Sequence, residues 1–314
     1  MERLTYLDLS NCYRLSNGTV EVIVTTDVGP RIIRYGFCGA ENILGELPND
    51  VLETELGQFK PWGGHRLWIA PEVMPDSYAP DNSPVEYQIE GRDTIRLMPR
   101  PEPRTRIQKE MTVTLDAEGT GVTVRHKIIN RNLSGIDAAP WALTIMQGGG
   151  ETILPQEPYR SHDDYLLPAR ALVLWHYTDL TDPRWKIGSK YIRLRTDARR
   201  AEPQKIGIMN KQGWAAYQRG RTLFVKRFHY EEGASYPDYG SNNETYTAGS
   251  FMEVETLGPL RRLEPGMASE TVERWYLFGS VERGETETAI DAALNPLVAQ
   301  TSTAIVESGT SSLI

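Results

Sequence analysis

The feature that most constrains this chain is a succession of short runs rich in β-branched and aromatic residues. Glycine, proline, asparagine and aspartate separate these runs, which is typical of hairpins and sandwiches. Residues 122–129 alternate with the period of two expected of a strand with one buried face. We therefore predict an all-β fold, a large antiparallel β-sandwich. The strands are predicted at residues 20–26, 31–37, 85–90, 94–98, 111–115, 122–130, 141–146, 171–177, 191–194, 222–228, 251–257 and 272–278.

One helix is predicted, over residues 285–294. Its acidic start suits the positive end of the helix dipole, and Pro296 is expected to end it. The 314 residues would allow two domains, although a large all-β fold of about 250 residues routinely forms one. No period of 20 to 50 residues repeats, which disfavours propellers and solenoids. We expect one domain over residues 1–298 and a flexible Ser/Thr-rich tail over 299–314.

Charge and apolar content narrow the class of partner. Lys and Arg total 34 against 42 Asp and Glu, and the net charge of -8 disfavours nucleic acid and anionic membranes as partners. No apolar run approaches the roughly 20 residues of a transmembrane helix, and no targeting segment is recognised. We therefore expect a cytoplasmic protein. The two cysteines, Cys12 and Cys38, exclude a disulfide framework and favour two buried thiols over a single bridge.

Familiar cofactor and catalytic motifs are missing from the sequence. It has no phosphate-binding loop, dinucleotide-binding glycine fingerprint, nucleophile elbow or His-Glu-x-x-His helix. The five histidines are not spaced as zinc ligands. We therefore predict neither a bound cofactor nor a transition metal.

The first candidate site is the segment 61–68, Pro-Trp-Gly-Gly-His-Arg-Leu-Trp. It places His65 and Arg66 between Trp62 and Trp68. Indole faces pack on the apolar face of a sugar ring, while guanidinium and imidazole groups hydrogen-bond its hydroxyls. The segment is therefore interpreted as a sugar-binding stretch. The alternative is a pair of core tryptophans beside a surface ion pair.

The second candidate is the predicted strand 251–257, in which Glu253 and Glu255 share a face. Alternate residues on a strand lie roughly 6.5 Å apart, so the two carboxylates project together. Like charges at this distance raise the proton affinity of one of them, which suits a general base near neutral pH. An exposed acidic strand face is the alternative.

The third candidate is the segment 236–246, interpreted as a loop crowded with oxygen ligands and aromatic rings. Asp238 and Glu244 are predicted to help recognise a polyol. Calcium held by Asp238, Asn242 and Glu244 is an alternative, since hard cations take oxygen ligands, although the spacing does not match an EF-hand. A turn stabilised by Asx side chains is a further alternative.

Together these residues resemble the galactose-mutarotase-like (aldose 1-epimerase-like) superfamily, over roughly residues 13–280. The carriers of the resemblance are Gly-Gly-His-Arg-Leu-Trp, Glu-x-Glu-Thr-Leu-Gly-Pro-Leu, and the Gly-Pro-Arg-Ile sequence of a first hairpin. The resemblance implies a β-supersandwich whose concave face binds a sugar. It also implies that His65 and Arg66 stand in place of an Asn-Arg pair that binds hydroxyls, and that Glu255 is the catalytic base.

The resemblance is incomplete on the strand that carries an acid histidine in aldose epimerases. Here the asparagine-rich turn at 130–132 leads to Trp-Ala-Leu-Thr-Ile-Met at 141–146, without a histidine. Mutarotation needs an acid at the ring oxygen and a base at the anomeric hydroxyl. Either His65, His176 or His229 supplies the acid, or the protein is not a mutarotase.

Three functions follow as hypotheses. The leading one is a mutarotase-like isomerase of a free sugar, with Glu255 as base, His65 as acid and Arg66 orienting hydroxyls. The others are a sugar-binding protein without catalysis and a lyase of acidic polysaccharides. Both sugar hypotheses predict that His65, Arg66, Asp238, Glu244 and Glu255 converge on one concave sheet face lined by Trp62 or Trp68, with at least three of the five in one pocket. Glu255 and His65 on opposite faces of the sandwich would rule out both hypotheses in this form.

Overall fold

The computed structural model describes residues 1–301, and the structural statements below concern that part of the chain. Its strands are β1 Glu2–Tyr6, β2 Leu9–Ser16, β3 Val20–Thr25, β4 Arg31–Phe37, β5 Glu46–Leu47, β6 Leu52–Thr54, β7 Gly57–Phe59, β8 Trp62–Gly63, β9 His65–Ala70, β10 Glu86–Glu90, β11 Thr94–Met98, β12 Ile107–Leu115, β13 Val122–Asn130, β14 Ile136–Met146, β15 Gly150–Pro155, β16 Leu172–Leu174, β17 Trp185–Ile187, β18 Tyr191–Arg195, β19 Gln204–Ile208, β20 Trp214–Arg219, β21 Thr222–Phe228, β22 Asn243–Ala248, β23 Phe251–Leu257, β24 Arg261–Leu263 and β25 Ala268–Phe278. The helical elements are a 3₁₀ turn at Asp76–Tyr78, the four-residue α1 at Pro237–Gly240, and α2 at Glu287–Val298.

Two large antiparallel sheets form the body of the fold. The first has eleven strands in the order β1-β2-β3-β4-β9-β14-β23-β22-β19-β16, with β24 paired to β14. The second has ten strands in the order β10-β11-β12-β13-β25-β21-β20-β15-β18-β17. The main hydrophobic core draws its buried side chains from both sheets. The all-β sandwich predicted from the sequence is therefore confirmed.

The middle of the eleven-stranded sheet brings together the strands that carry the candidate site residues Arg66 and Glu255. In β9, β14 and β23, Leu143 lies opposite Arg66 on one side and opposite Glu255 on the other. Antiparallel neighbours in register place their side chains on the same face. These three strands therefore bring residues far apart in sequence into one row.

The glycine pair before β9 is required by the close approach of two backbones. A Cβ on Gly63 would lie 2.0 Å from the Gly45 carbonyl oxygen, and one on Gly64 would lie 2.1 Å from that of Ile32. Both glycines also adopt positive φ. The pair lets the chain enter β9 tightly against β4, and so determines which way His65 and Arg66 face.

Smaller clusters cover the outer faces of the two sheets. Helix α2 contributes Ile290 and Leu294 to a buried cluster on the ten-stranded sheet. Two further clusters involve the eleven-stranded sheet: one includes Trp68 and Trp141, and the other includes Cys12. No helix within residues 1–301 is long and apolar enough to cross a membrane.

Several predictions about elements need adjustment. The helix begins two residues later than predicted and contains Pro296 instead of ending before it. Segment 236–246, predicted as a loop, includes the start of β22. Cys12 is buried but Cys38 is exposed, so the expectation of two buried thiols is wrong for Cys38; both are free. Of the predicted tail, residues 302–314 lie outside the described residues.

Candidate functional site

The eleven-stranded sheet has two chemically different faces at its centre. Residues 252, 254 and 256 of β23 face the second sheet, where Lys226 of β21 donates to the Val254 carbonyl and Glu273 of β25 accepts from Thr256. Glu253 and Glu255 alternate with these residues and therefore face away from the second sheet. We call this side of the central strands the outer face.

A buried cation on β19 lies between two carboxylates at the outer face. Lys205 Nζ is 2.8 Å from Glu244 Oε2 and 3.1 Å from Glu255 Oε2. Both glutamates are fully buried, and they are directly opposite each other in the β22–β23 register. Two buried like charges at this spacing require a compensating cation, and Lys205 supplies it.

Indole rings surround this ion pair. Lys205 Nζ lies 4.8 Å from the ring centroid of Trp141 and 4.7 Å from that of Trp175. Trp141 Nε1 also donates a 2.8 Å hydrogen bond to Glu255 Oε2. Glu255 is thus fixed in direction by one ammonium group and one indole N–H.

Arg66 and Glu253 form a second polar pair on the outer face. Arg66 Nη2 is 3.9 Å from Glu253 Oε1, and the Arg66 guanidinium lies 4.4 Å from the Trp68 ring centroid. Burial, followed by the nearby Arg31, lowers the pKa of Arg66 to about 10. Burial, followed by the charge of Glu255, raises the pKa of Glu253 to about 7. Glu253 is therefore partly protonated at neutral pH.

Burial raises the pKa values of Glu244 and of two neighbouring groups, Asp238 and Tyr246. Burial raises the pKa of Glu244 well above its ordinary value, although Lys205 opposes the shift. Burial likewise raises the pKa of Asp238, whose carboxyl also interacts with Lys205 and Glu255. Tyr246 lies near Glu253 and Glu255, and its pKa is raised to about 12, chiefly by burial. The outer face thus carries several carboxyls with raised proton affinity.

Some polar atoms of the outer face lack a partner within the described chain. Arg66 Nε and Nη1 are buried donors without a hydrogen-bond acceptor in residues 1–301, and Glu255 Oε1 is a buried acceptor without a donor there. An unpaired buried polar group costs about 1–3 kcal/mol. Unpaired donors and acceptors on one face fit a ligand that can both accept and donate, as a hydroxyl group does.

The inner face holds a separate polar network. His65 Nε2 lies 2.6 Å from His126 Nε2, and His65 Nδ1 lies 2.8 Å from Thr144 Oγ1. Thr144 also accepts from Lys226 Nζ, which is 3.0 Å from Glu273 Oε1. All five side chains are fully or almost fully buried between the sheets.

This inner network resembles a metal site in composition but not in geometry. One nitrogen from each of His65 and His126 and one oxygen of Glu273 lie within 4.8 Å of one another. Two imidazole nitrogens on a tetrahedral zinc ion, each about 2.0–2.1 Å from the metal, would lie more than 3 Å apart, whereas these are at hydrogen-bond distance. Lys226 already neutralises Glu273. The arrangement is that of a shared N–H···N hydrogen bond, so the donor set does not fit a metal ion.

The predicted convergence of five residues is therefore wrong for His65, which lies on the opposite face from Glu255. The two sugar hypotheses are wrong in the form that places His65 and Glu255 in one site. Adjacent residues of a strand point to opposite faces, so His65 turns inward to His126 while Arg66 turns outward. Asp238, Glu244 and Glu255 do come together around Lys205, and Glu253 links them to Arg66.

The two predicted tryptophans separate in the structure. Trp68 packs beside Arg66 and Trp141 on the outer face, 5.3 Å from Trp141 between ring centroids. Trp62 packs instead against the cluster around Cys12 and lies 5.7 Å from Lys60 Nζ. Of the two, only Trp68 thus lies beside Arg66, and it is almost fully buried.

Two of the three residues considered as calcium ligands, Asn242 and Glu244, already have protein partners. Asn242 uses its amide to bond the backbone of Asn210, donating to its carbonyl at 2.9 Å and accepting from its N–H at 2.6 Å. Glu244 is paired with Lys205. A divalent cation would therefore have to displace a buried ammonium group.

Sequence reasoning missed the central cation and most of the aromatic wall. Lys205 lies on β19, a strand that was not predicted, and Trp141, Trp175 and Tyr246 were not singled out. The available signal was Lys205 as the one charged residue in the run Gln-Lys-Ile-Gly-Ile at 204–208, since a lone charge on a buried strand needs a partner. His176 and His229 are both exposed.

Comparison with solved structures identifies the fold. A candidate aldose 1-epimerase from Klebsiella pneumoniae is 11% identical, with 90% of this chain and 81% of that chain covered and a TM-score of 0.58. A galactose mutarotase-like protein from Lactobacillus casei is 10% identical over 85% and 100% of the two chains, with a TM-score of 0.55. A candidate mutarotase from Salmonella typhimurium is 10% identical over 86% and 90%, with a TM-score of 0.56.

No protein-family model and no curated protein matches the chain. The structural similarities show that the chain has the galactose-mutarotase-like fold, as its sequence resemblance indicated. At this level of identity the similarity concerns the fold, and activity has to be argued from the site.

Proposed function

We propose that this protein binds a neutral monosaccharide on the outer face and interconverts its two anomers. The observation that carries the proposal is the pair Glu253 and Glu255, two residues apart on one strand with different partners. Glu255 is held by Lys205 and Trp141, whereas Glu253 has a pKa raised to about 7. Carboxyls in different environments are a common source of paired acid and base.

The roles follow from these environments. Glu255 takes the proton of the anomeric hydroxyl, the bond between the anomeric carbon and the ring oxygen breaks, and Glu253 gives its proton to that oxygen. Rotation of the aldehyde and the reverse steps return both protons and close the ring on the other face. Glu253 thus takes the acid's role that the sequence interpretation gave to His65, which faces the second sheet.

Arg66 is the orienting group. Its guanidinium lies over Trp68 and leaves Nε and Nη1 free of acceptors within the described residues. Each of these N–H groups can donate to a sugar hydroxyl, while the Trp68 ring supports the guanidinium from behind. Arg66 and Trp68 thereby determine how the sugar ring lies relative to Glu255.

The charge of the outer face favours a neutral sugar. Asp238, Glu244, Glu253 and Glu255 are opposed by Lys205 and Arg66, so acidic groups outnumber basic ones. The anionic group of a phosphate or uronate would offer acceptors where Glu255 needs a donor, and it would find both cations of this face already beside carboxyl groups. We therefore expect free aldoses to bind better than sugar phosphates.

Polarimetry of freshly dissolved neutral aldoses, such as glucose, galactose and xylose, tests the proposal. The wild type should accelerate the approach to anomeric equilibrium, and Glu255→Gln should lower the rate by about 10²–10⁴-fold, the usual contribution of a general base. Glu270→Gln, on an exposed residue of β25, is the matched control. A wild type that accelerates none of the aldoses would disprove the catalytic proposal.

Binding without catalysis is the second candidate. The outward residues of β14, Trp141, Leu143 and Ile145, carry no group that could protonate a ring oxygen. In this case calorimetry should detect sugar binding, and the fluorescence of Trp141 beside Glu255 should change, without any change in anomerisation rate.

The polysaccharide lyase hypothesis has less support. A polyanion would need free cations on β4 and β9, but Arg31 is paired with Asp81 and Arg34 with Glu21. Arg66 is left among the carboxyls of the outer face. Incubation with polyuronates should therefore produce no unsaturated uronide absorbance.

A further inference from the structure

The turn next to Asp238 is unusual in its backbone. Asp238 and Tyr239 have φ of 48° and 56°, and Gly240 follows with φ of 96°. Two consecutive residues with side chains in the left-handed region cost of order 1–3 kcal/mol each. The fold maintains this conformation at a cost, so the position of the two side chains is the feature to explain.

Buried hydrogen bonds hold the turn in place. Ser241 Oγ donates to the Asp238 carbonyl at 2.9 Å, and the Ser241 N–H donates to the Pro237 carbonyl at 2.9 Å. The next residue, Asn242, is fully buried and bonded to the backbone of Asn210. The turn is therefore anchored to the interior directly after Tyr239.

The anchored turn separates two neighbouring side chains. Asp238 interacts with Lys205 and Glu255 in the outer-face cluster. The next residue, Tyr239, has 96% of its side chain exposed. An aromatic ring held on a fixed backbone loses little conformational freedom on binding, and its exposed apolar surface is available for burial.

A second exposed ring adjoins the same cluster. Tyr177 follows two residues after Trp175, whose ring lies 4.7 Å from Lys205 Nζ and, like Ser241 of the turn, lies against Gly207. Tyr177 itself is 41% exposed. The innermost groups, Lys205, Glu244 and Glu255, are buried. The site therefore passes from buried charges to exposed aromatic rings, the surface on which the apolar face of a sugar packs.

We propose that Tyr239 and Tyr177 form an outer subsite that binds a second sugar unit, so that the preferred ligand is a disaccharide or longer saccharide with a free reducing end. This inference rests on the proposed function, since it assumes that the first unit lies against Arg66 and Glu255. The second unit packs on the exposed rings, and the acidic residues and Lys205 bind only the first.

Calorimetry with matched sugars tests the subsite: glucose is compared with maltose, cellobiose and lactose, all of which carry glucose at the reducing end. Wild type should bind at least one disaccharide about tenfold more tightly than the corresponding monosaccharide, which is about 1.4 kcal/mol. Tyr239→Ala and Tyr177→Ala should each abolish most of this ratio and leave monosaccharide affinity unchanged. Tyr159→Ala, on a loop residue that is 80% exposed, is the control.

The outcomes separate the two proposals. Monosaccharide binding with an unchanged disaccharide ratio in Tyr239→Ala and Tyr177→Ala overturns the subsite and leaves the proposed function standing. An equal loss of affinity for both sugars in these variants also overturns it, because it would assign the tyrosines to the first unit. If no saccharide binds the wild type, both proposals fail.

Discussion

Lys205 is the residue on which the outer face depends electrostatically. It is almost fully buried and is shared by Glu244 and Glu255. Burial alone would lower its pKa, but the two carboxylates outweigh burial and raise the pKa well above its ordinary value. Such a group remains charged over the whole physiological range. Its role is to permit two acidic groups at the centre of a sheet and to orient one of them, because a permanently charged ammonium group is a poor proton donor.

Removing this cation should be costly. Lys205→Met leaves Glu244 and Glu255 buried without their common partner, and we expect it to lower the free energy of unfolding by about 3–5 kcal/mol in urea denaturation at pH 7. Lys205→Arg keeps the charge and should cost less. Lys186→Met removes an exposed pair with Glu285 and should cost under about 1 kcal/mol. Equal losses in the two methionine variants would contradict this account.

Glu253 should give the protein a recognisable pH dependence. Its pKa is raised from 4.5 to about 7, so between these values the folded state binds more protons than the unfolded state. Its contribution to stability is complete below pH 4.5 and is lost as the pH rises to 7. Glu253→Gln removes this loss, and its stability relative to wild type should be about 3 kcal/mol more favourable at pH 8 than at pH 4.

The measurement is chemical denaturation of wild type and Glu253→Gln at pH 4 and pH 8. Glu270→Gln, on an exposed residue, serves as the control and should show no such difference. In polarimetry, the wild-type rate should decline as the acid ionises above pH 7, and Glu253→Gln, which lacks the acid, should give a low rate at every pH. A stability difference that is the same at both pH values would show that Glu253 does not titrate in this range.

At the scale of elements, helix α2 covers part of the ten-stranded sheet. It begins after Thr286, whose side chain accepts from the Ala289 N–H at 3.2 Å, and it buries Ile290 and Leu294. Thr286 is exposed and its substitution disturbs little else. Thr286→Ala should therefore lower the free energy of unfolding by about 1 kcal/mol, the usual value of an N-cap. Thr286→Ser, which keeps the hydroxyl, should remain within about 0.5 kcal/mol of wild type in the same denaturation experiment.

Individual strands account for what the sequence could and could not predict. The alternation in β23 correctly placed Glu253 and Glu255 on one face, because period-two alternation is a local property. The same rule separates His65 from Arg66 in β9, whereas the prediction of a shared site treats the segment 61–68 as a binding stretch and not as a strand.

The site as a whole depends on strand order, which is not local. Lys205 of β19 reaches Glu255 of β23 across the single intervening strand β22. The sequence around 204–208 does not indicate which strands lie beside β19. Pairing is decided by long-range packing of the two sheets. The sequence therefore indicates that Lys205 needs a partner, but it does not indicate that the partners are Glu244 and Glu255.

For the whole molecule, the histidine network opposes the titration of Glu253. Burial lowers the pKa of His126 from 6.5 to about 4, so between these values the unfolded state binds more protons than the folded state. Its contribution to stability is complete above pH 6.5 and is lost as the pH falls to 4. Glu253 changes stability in the opposite sense over an overlapping range, and wild type should show only part of either effect.

The two effects can be separated by combining variants. In a Glu253→Gln background the free energy of unfolding should fall by about 3 kcal/mol more between pH 7 and pH 4 than when His126→Leu is added. The slope with pH is the readout, so a general destabilisation by the leucine does not affect the test. His162→Leu, on an exposed residue, is the control and should leave the slope unchanged. Identical slopes with and without His126 would refute the assignment.

The strands that carry the outer face lie side by side but are far apart along the chain. The bonded pair His65 and Thr144 is separated by 79 residues, and Trp141 and Glu255 by 114. The chain loses the entropy of closing such long loops before the strand pairs can stabilise it. Folding of this topology is therefore slow, on the order of milliseconds to seconds. Glu253, Glu255 and their wall of indole rings meet only when β23 inserts between β14 and β22. During synthesis the outer-face cluster can therefore form only after β23 has emerged, so the proposed sugar could not bind before that stage.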